Sequence, residues 1–165
     1  MAVAWRGFYA IVSAGSEARD PVSTAERILE ARPAVLQLRF KGDDDRLHLA
    51  TARALRQRCA GAGVPFVVND RADIAALAEA DGLHLGQDDV PLREARRLFA
   101  GPIGVSTHDL AQAEAAAAEG ADLIGFGPVF PTRSKERPDP VVGLEALRAV
   151  CAQVPVPVVA IGGLD

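Results

Sequence analysis

The sequence predicts an α/β fold in which helices cover a parallel sheet, organised as a TIM (β/α)8-type barrel. Short apolar strands alternate with amphipathic helical segments along the chain, which is typical of parallel strands joined by right-handed crossovers. Polar and glycine residues follow many of the strands instead of gathering at one switch point. That distribution favours a barrel over a doubly wound sheet.

The apolar stretches predict seven strands, each followed by polar or glycine residues. They cover residues 8–12, 34–40, 65–68, 82–85, 103–106, 123–125 and 156–161. A complete barrel of this type has eight strands. We therefore expect a single barrel domain over residues 1–165 that is truncated after the seventh strand and lacks its C-terminal β/α unit. An open edge would expose backbone hydrogen-bonding groups that another chain can cover.

The composition predicts one cytoplasmic domain without disulfides. The chain has 165 residues, of which 49% are hydrophobic, and a formal net charge of −4. This length suits one substantial core, and no basic patch suggests a nucleic-acid or membrane partner. Cys59 and Cys151 are isolated, and the N-terminal residues lack a signal-peptide profile. The alanine-rich stretch after Asp109 predicts a packed helix and not a membrane span, because acidic residues interrupt it.

Acidic residues follow two successive predicted strands and suggest a metal site. Asp70 comes after the third strand, and Asp88 and Asp89 come after the fourth. Carboxylates without a cysteine or histidine cluster favour Mg²⁺ over zinc, and so favour an anionic substrate. Spacing alone does not choose between Asp88 and Asp89. The alternative is that each aspartate caps a helix or belongs to a turn, which is a common use of this residue.

Three further features predict phosphate binding. A period of two places Gln37, Arg39 and Lys41 on one face of the second strand, where cations can meet an anion. The stretch 132–135 carries two hydroxyls, an arginine and a lysine, and Gly162-Gly163 allows close backbone approach. Each has an ordinary alternative: a solvated strand end, a polar surface loop and a plain turn. His84 is interpreted as structural, and the role of His108 stays open.

Taken together, the motifs resemble the thiamine phosphate synthase (thiamine-phosphate pyrophosphorylase) family, in order and across nearly the whole chain. They are Gln37-Leu38-Arg39-Phe40-Lys41, Asn69-Asp70-Arg71, His84-Leu85-Gly86-Gln87-Asp88-Asp89, Gly104-Val105-Ser106-Thr107-His108, Gly127-Pro128-Val129-Phe130-Pro131-Thr132 with Lys135, and Ala160-Ile161-Gly162-Gly163. The resemblance implies a TIM-barrel transferase that joins 4-amino-2-methyl-5-hydroxymethylpyrimidine diphosphate to a thiazole phosphate. The products would be thiamine phosphate and diphosphate, and the implied cofactor is Mg²⁺.

The resemblance also assigns residues to roles. It makes Asp70 and Asp89 the Mg²⁺ ligands, which resolves the choice between Asp88 and Asp89. The residues that match the pyrimidine diphosphate positions are Gln37, Arg39, Lys41, Asn69, Ser106 and Lys135, and Leu38 and Phe40 are counted with the segment that contains them. Of these, Arg39, Lys41, Ser106 and Lys135 are the expected catalytic residues. Those matching the thiazole phosphate positions are Thr132, Ser134, Gly162 and Gly163.

Two departures from the family pattern are expected to be mild. Ser134 stands where the family has a second threonine and keeps the hydroxyl. Phe40 replaces an acidic or polar residue between Arg39 and Lys41, and its side chain should face away from the site.

The sequence leaves two other functions open. One is a thiazole tautomerase-like enzyme on the same fold, although that group typically lacks the acidic pair and has a histidine where Pro128 stands. The other is a catalytically inactive fragment, since the family's eighth strand contributes to the thiazole phosphate site. A homo-oligomer is also compatible with the sequence.

Overall fold

Strand and helix alternate along the chain in the computed structural model, which describes residues 6–15, 20–132 and 139–164. The strands are β1 (Tyr9–Ala14), β2 (Val35–Phe40), β3 (Phe66–Asn69), β4 (Gly82–Leu85), β5 (Ile103–Thr107), β6 (Leu123–Phe126) and β7 (Val158–Ala160). The helices are α1 (Pro21–Glu30), α2 (Asp45–Ala62), α3 (Ala72–Leu77), α4 (Leu92–Ala95), α5 (Leu110–Ala118) and α6 (Gly143–Gln153). All seven predicted strands are present, with ends within about two residues of the predicted ones.

The chain forms two compact units, each built from parallel strands. The first unit comprises residues 1–84 and 94–102, and the second comprises residues 85–93 and 103–165. Within the first unit, β1, β2, β3 and β4 pair in sequence order, and each is parallel to the next. Within the second unit, β5, β6 and β7 do the same. The predicted α/β fold is confirmed, while closure as a truncated (β/α)8-type barrel stays a prediction.

The core of the first unit forms where α2 packs against β2 and β3. Buried positions recur every three or four residues along α2, at Ala52, Leu55 and Cys59, and so make one continuous apolar face. Leu36 and Phe66 are fully buried on the strands. Burial raises the pKa of the Cys59 thiol to about 12, so this cysteine stays protonated and acts as a small apolar side chain.

Three helices begin with an aspartate that caps them. The side chain of Asp20 accepts from the backbone N–H of Ser23 at 3.0 Å, that of Asp44 from Leu47 at 3.0 Å, and that of Asp109 from Gln112 at 2.8 Å. These bonds satisfy N–H groups that have no partner within the helix. The helix predicted after Asp109 is α5. Among the residues described, no helix is long and apolar enough to cross a membrane.

In each unit, an aspartate side chain also accepts from the first N–H of a strand. The carboxylate of Asp81, just before β4, accepts from the backbone N–H of Phe66 at 2.9 Å. Asp122, just before β6, accepts in the same way from the backbone N–H of Ile103 at 2.8 Å. Each aspartate thereby satisfies the first N–H of the preceding strand and sets where the two strands begin to pair.

A glycine at the end of β6 is required by packing. A Cβ on Gly127 would overlap the carbonyl oxygen of Ile161, which already accepts from the N–H of Val129 at 2.9 Å. We expect Gly127→Ala to lower the free energy of unfolding by about 1 to 3 kcal/mol through overpacking. Gly61→Ala is the matched control, because its Cβ meets nothing within 4 Å on a helix.

Urea denaturation measures both changes. The control should be neutral or more stable by up to about 1 kcal/mol, since alanine is the better helix former. Equal effects of the two substitutions would contradict the packing argument.

The buried histidine of β4 makes stability depend on pH. Burial lowers the pKa of His84 from 6.5 to about 4, with a smaller opposing effect from Asp70. Above pH 6.5 this histidine is neutral in both states, so its full contribution to stability is present. As pH falls from 6.5 towards 4, the unfolded chain takes up a proton that the folded chain does not. The free energy of unfolding should therefore fall by about 3 kcal/mol over this range.

Denaturation of the parent and of His84→Gln between pH 7 and pH 4 isolates this contribution from other groups that titrate there. The parent should lose more stability than the variant as the pH falls. Parallel curves would contradict the assignment.

Candidate functional site

The alternation predicted for β2 is present. Gln37 lies on one face of the strand and is only 3% exposed, whereas Lys41 projects beyond its end with its side chain 48% exposed. Leu38 is fully buried on the other face, and Phe40 is also buried. The polar face therefore grades from buried to exposed towards the carboxyl end of the strand.

The side chains of Leu38 and Phe40 are buried, and the role of these two residues in substrate binding stays a prediction. Leu38 belongs to the core. Phe40 stacks on His48 of α2, with ring centroids 4.4 Å apart and planes within 6° of parallel. Both side chains therefore pack on the face opposite Gln37. As expected, Phe40 faces away from the polar residues.

A series of hydrogen bonds runs across three neighbouring strands of the first unit. The hydroxyl of Tyr9 donates to Oε1 of Gln37 at 2.7 Å, and Nε2 of Gln37 donates to Oδ1 of Asn69 at 2.8 Å. Nδ2 of Asn69 in turn donates to Oδ1 of Asp70. In each bond the donor lies on the Tyr9 side and the acceptor on the Asp70 side, so the series ends at the carboxylate of Asp70.

Asp70 is also held by its backbone and by a cation. It has a φ of +68°, a conformation that few residues other than glycine adopt. Its N–H donates to the carbonyl of His84 at 2.8 Å, across the predicted parallel pair of β3 and β4. Nζ of Lys41 lies 3.0 Å from its Oδ2. The carboxylate thus has a defined position at the end of β3.

The helix-cap alternative does not hold for Asp70. Arg71, not Asp70, occupies the N-cap position of α3, and no side chain caps that helix. The capping role considered for aspartates in this sequence is instead filled by Asp20, Asp44 and Asp109. This carboxylate is therefore available for other chemistry.

Arg71, the residue that follows Asp70, forms ion pairs with two helices. Its guanidinium contacts Asp73 of α3 and Asp45 of α2, with 2.6 Å separating the charged atoms in each pair. The hydrogen bonds to Asp73, and then the one to Asp45, raise the pKa of Arg71. The hydrogen bond from Arg71 lowers the pKa of Asp73. This cluster fixes the turn between β3 and α3, on which the position of Asp70 depends.

In the second unit, Asp89 closes the turn after β4. Its Oδ2 accepts from the N–H of Gly86 at 2.6 Å, so the turn role considered for this residue is present. Asp88 is exposed, whereas Asp89 is only partly so. Nε2 of Gln87 donates to the carbonyl of Ser106 at 2.6 Å, which ties this turn to the end of β5.

His108 connects the segments after β5 and β6. Its Nδ1 lies 2.6 Å from the carbonyl oxygen of Gly127, and a carbonyl only accepts, so Nδ1 is the donor. Its Nε2 lies 3.4 Å from Oδ2 of Asp139. No pattern in the sequence indicated these partners, since they are not spaced as any motif requires.

Gly162 and Gly163 follow β7 with φ values of +91° and +67°. A Cβ on Gly162 would lie 2.5 Å from Cβ of Pro128, and the carbonyl of Gly162 accepts from the N–H of Phe130 at 2.9 Å. Packing against residues 128–130 therefore already requires glycine here. The role of Gly162 and Gly163 towards a phosphate stays a prediction.

The structure describes some of the remaining predicted site residues and not others. Arg39 and Thr132 are partly exposed. Ser134 and Lys135 lie outside the described residues. Among the residues that the structure does describe, no group of three or more histidine, cysteine, aspartate or glutamate side chains is arranged to hold a metal ion. The first unit therefore brings together Gln37, Lys41, Asn69 and Asp70. In the second unit, the side chain of Asp89 bonds within the turn to which it belongs.

Comparison with known proteins identifies the family. A family model described as "Thiamine monophosphate synthase" matches residues 8–165. A thiamine-phosphate synthase from Methanocella arvoryzae is 48% identical over 143 residues, which is 86% of this chain and 68% of that protein. A second, from Chloroflexus aurantiacus, is 41% identical over 165 residues, covering 99% of this chain and 76% of the relative.

A solved structure gives the same result. The thiamine phosphate pyrophosphorylase from Pyrococcus furiosus superposes with a TM-score of 0.86 at 33% identity. The match covers 96% of this chain and 76% of that one. The resemblance indicated by the sequence motifs is thereby confirmed, and the chain belongs to the thiamine monophosphate synthase family.

Proposed function

We propose that this chain condenses 4-amino-2-methyl-5-hydroxymethylpyrimidine diphosphate with a thiazole phosphate, giving thiamine phosphate and diphosphate. Family membership supports the reaction. The observation that supports it from the geometry is the carboxylate of Asp70, held at the end of β3 by Asn69 and Lys41. A carboxylate and a cation fixed side by side suit a substrate that carries a diphosphate and its counter-ion.

The residues fit a magnesium ion. A carboxylate offers about four lone-pair sites, and the bonds from Asn69 and Lys41 occupy two of those on Asp70. Carboxylate oxygens are hard ligands of the kind that Mg²⁺ prefers, and the ion usually keeps several of its waters. We assign Asp70 as one ligand, and Asp89 as another on the family resemblance. When bound, Mg²⁺ would supply positive charge that favours departure of the diphosphate.

The chain's own cations would act on the leaving group. Breaking the bond between the methylene carbon and the diphosphate oxygen leaves negative charge on the diphosphate, which fixed cations stabilise. Lys41 is half exposed and compact, so it can pass from Asp70 to a bound diphosphate oxygen. Arg39 lies one alternation earlier on the same face and offers a planar fork for two such oxygens. Lys135 is assigned the same task on the resemblance.

Positioning completes the proposed reaction. Departure of the diphosphate leaves a pyrimidine-stabilised carbocation, which the thiazole nitrogen captures to form the new carbon–nitrogen bond. The buried amide of Gln37 and that of Asn69 would hold the pyrimidine substrate, and Ser106 is assigned with them. Thr132, Ser134 and the Gly162-Gly163 backbone are assigned to the thiazole phosphate. No protein nucleophile or general base is needed, so the gain comes from orientation and from excluding water.

Product formation tests the role of Asp70. Purified protein is mixed with both substrates and Mg²⁺, and thiamine phosphate is measured for the parent, Asp70→Asn and the control Asp43→Asn. We expect Asp70→Asn to lose at least about 100-fold in kcat/KM, the usual effect of removing one fixed electrostatic group. Asp43 is an exposed aspartate that follows β2, so its substitution should change kcat/KM by less than about twofold.

Calorimetric titration with Mg²⁺ and the pyrimidine diphosphate gives a second readout without turnover. Asp70→Asn and Asp89→Asn should each weaken Mg²⁺-dependent binding of the diphosphate. Parent-level activity and binding in Asp70→Asn would contradict the assignment. A folded parent that binds both substrates without forming product would contradict the proposed reaction.

A further inference from the structure

The hydrogen-bond series that ends at Asp70 begins at a residue that no motif included. Tyr9 is the only tyrosine of the chain and the first residue of β1. The strand register sets Tyr9 opposite Val35 and Ile11 opposite Gln37. The tyrosine side chain therefore leans along the sheet, past its own register partner, to bring its hydroxyl within 2.7 Å of Oε1 of Gln37.

The chemistry of the groups determines the direction of the series. An ionised carboxylate only accepts, so Asn69 must turn its NH₂ group towards Asp70. That choice leaves Oδ1 of Asn69 facing Gln37, which must then present its own NH₂ group. Oε1 of Gln37 is left to face Tyr9, and it needs a donor.

Tyr9 meets that need in both chemistry and environment. Its hydroxyl is the donor at the far end, and burial raises the pKa of Tyr9, so the proton stays in place. Gln37 is only 3% exposed, so water is poorly placed to substitute for the lost donor. A buried amide oxygen without a donor is costly, and the amide would turn to reduce that cost. Turning both amides would set Oδ1 of Asn69 against the carboxylate of Asp70, where two acceptors repel.

We propose that Tyr9 is a positioning residue whose hydroxyl fixes the orientation of the Gln37 and Asn69 amides and thereby of the Asp70 carboxylate. Its hydroxyl bonds to Gln37, and it acts on the Asp70 carboxylate through three successive hydrogen bonds. The effect on turnover rests on the proposed condensation, whereas the effect on the amides does not.

Tyr9→Phe tests this inference because it removes the hydroxyl and keeps the ring. We expect kcat/KM for thiamine phosphate formation to fall about tenfold, the effect of leaving one buried acceptor without its donor. Thr51→Val is the matched control, since it removes a buried hydroxyl from α2, and it should stay within about twofold of the parent.

A double-mutant cycle separates positioning from packing. In the Gln37→Leu background the hydroxyl has no amide to orient, so adding Tyr9→Phe should cause no further loss. An equal loss in both backgrounds would mean that the hydroxyl acts independently of Gln37, and would overturn the proposal. So would a Tyr9→Phe variant with the kcat/KM of the parent.

A spectroscopic readout keeps this inference separate from the proposed function. In the substrate-free protein labelled with ¹⁵N, Tyr9→Phe should shift the side-chain NH₂ signals of both Gln37 and Asn69, whereas Thr51→Val should not. Unchanged NH₂ signals would overturn the inference even if the parent is active. Shifted signals in a protein that forms no thiamine phosphate would uphold it and contradict the condensation instead.

Discussion

The carboxylate of Asp70 is the acceptor on which the arrangement of the first unit depends. Because it cannot donate, it dictates the orientation of Asn69, then of Gln37, and finally the need for a donor at Tyr9. Directional chains of this kind strengthen each member when every group is satisfied and are costly when one is not. Three strands are thus linked by their side chains as well as by their backbone ladders.

Local backbone strain accompanies this arrangement and is held by the surroundings. A non-glycine residue with the φ of Asp70 costs about 1 kcal/mol. The bond from its N–H to His84 and the ion pairs of Arg71 with Asp45 and Asp73 offset that cost. Such outliers gather at functional sites, where the geometry is kept because the chemistry requires it. The Lys41 ammonium beside the carboxylate supplies the local charge that a diphosphate would meet.

The strands and the two faces of β2 could be predicted from the sequence, because they follow from local periodicity. The period of two in β2 correctly separated Gln37 from Leu38, and the apolar stretches located the strands. The bonds from Tyr9 to Gln37 and from Arg71 to Asp45 could not be predicted, because these partners lie 28 and 26 residues away and follow no repeat. Leu38 and Phe40 belong to a motif that is contiguous in sequence, and the pleat sends their side chains to the face opposite Gln37.

Neutron diffraction from deuterated crystals tests the directed series at Asp70 most directly, because it locates the deuterium atoms on each group. The account predicts deuterium on Oη of Tyr9 pointing to Gln37, on Nε2 of Gln37 pointing to Asn69, and on Nδ2 of Asn69 pointing to Asp70. An amide oxygen of Asn69 facing a deprotonated Asp70, or a Tyr9 deuterium pointing away from Gln37, would contradict it.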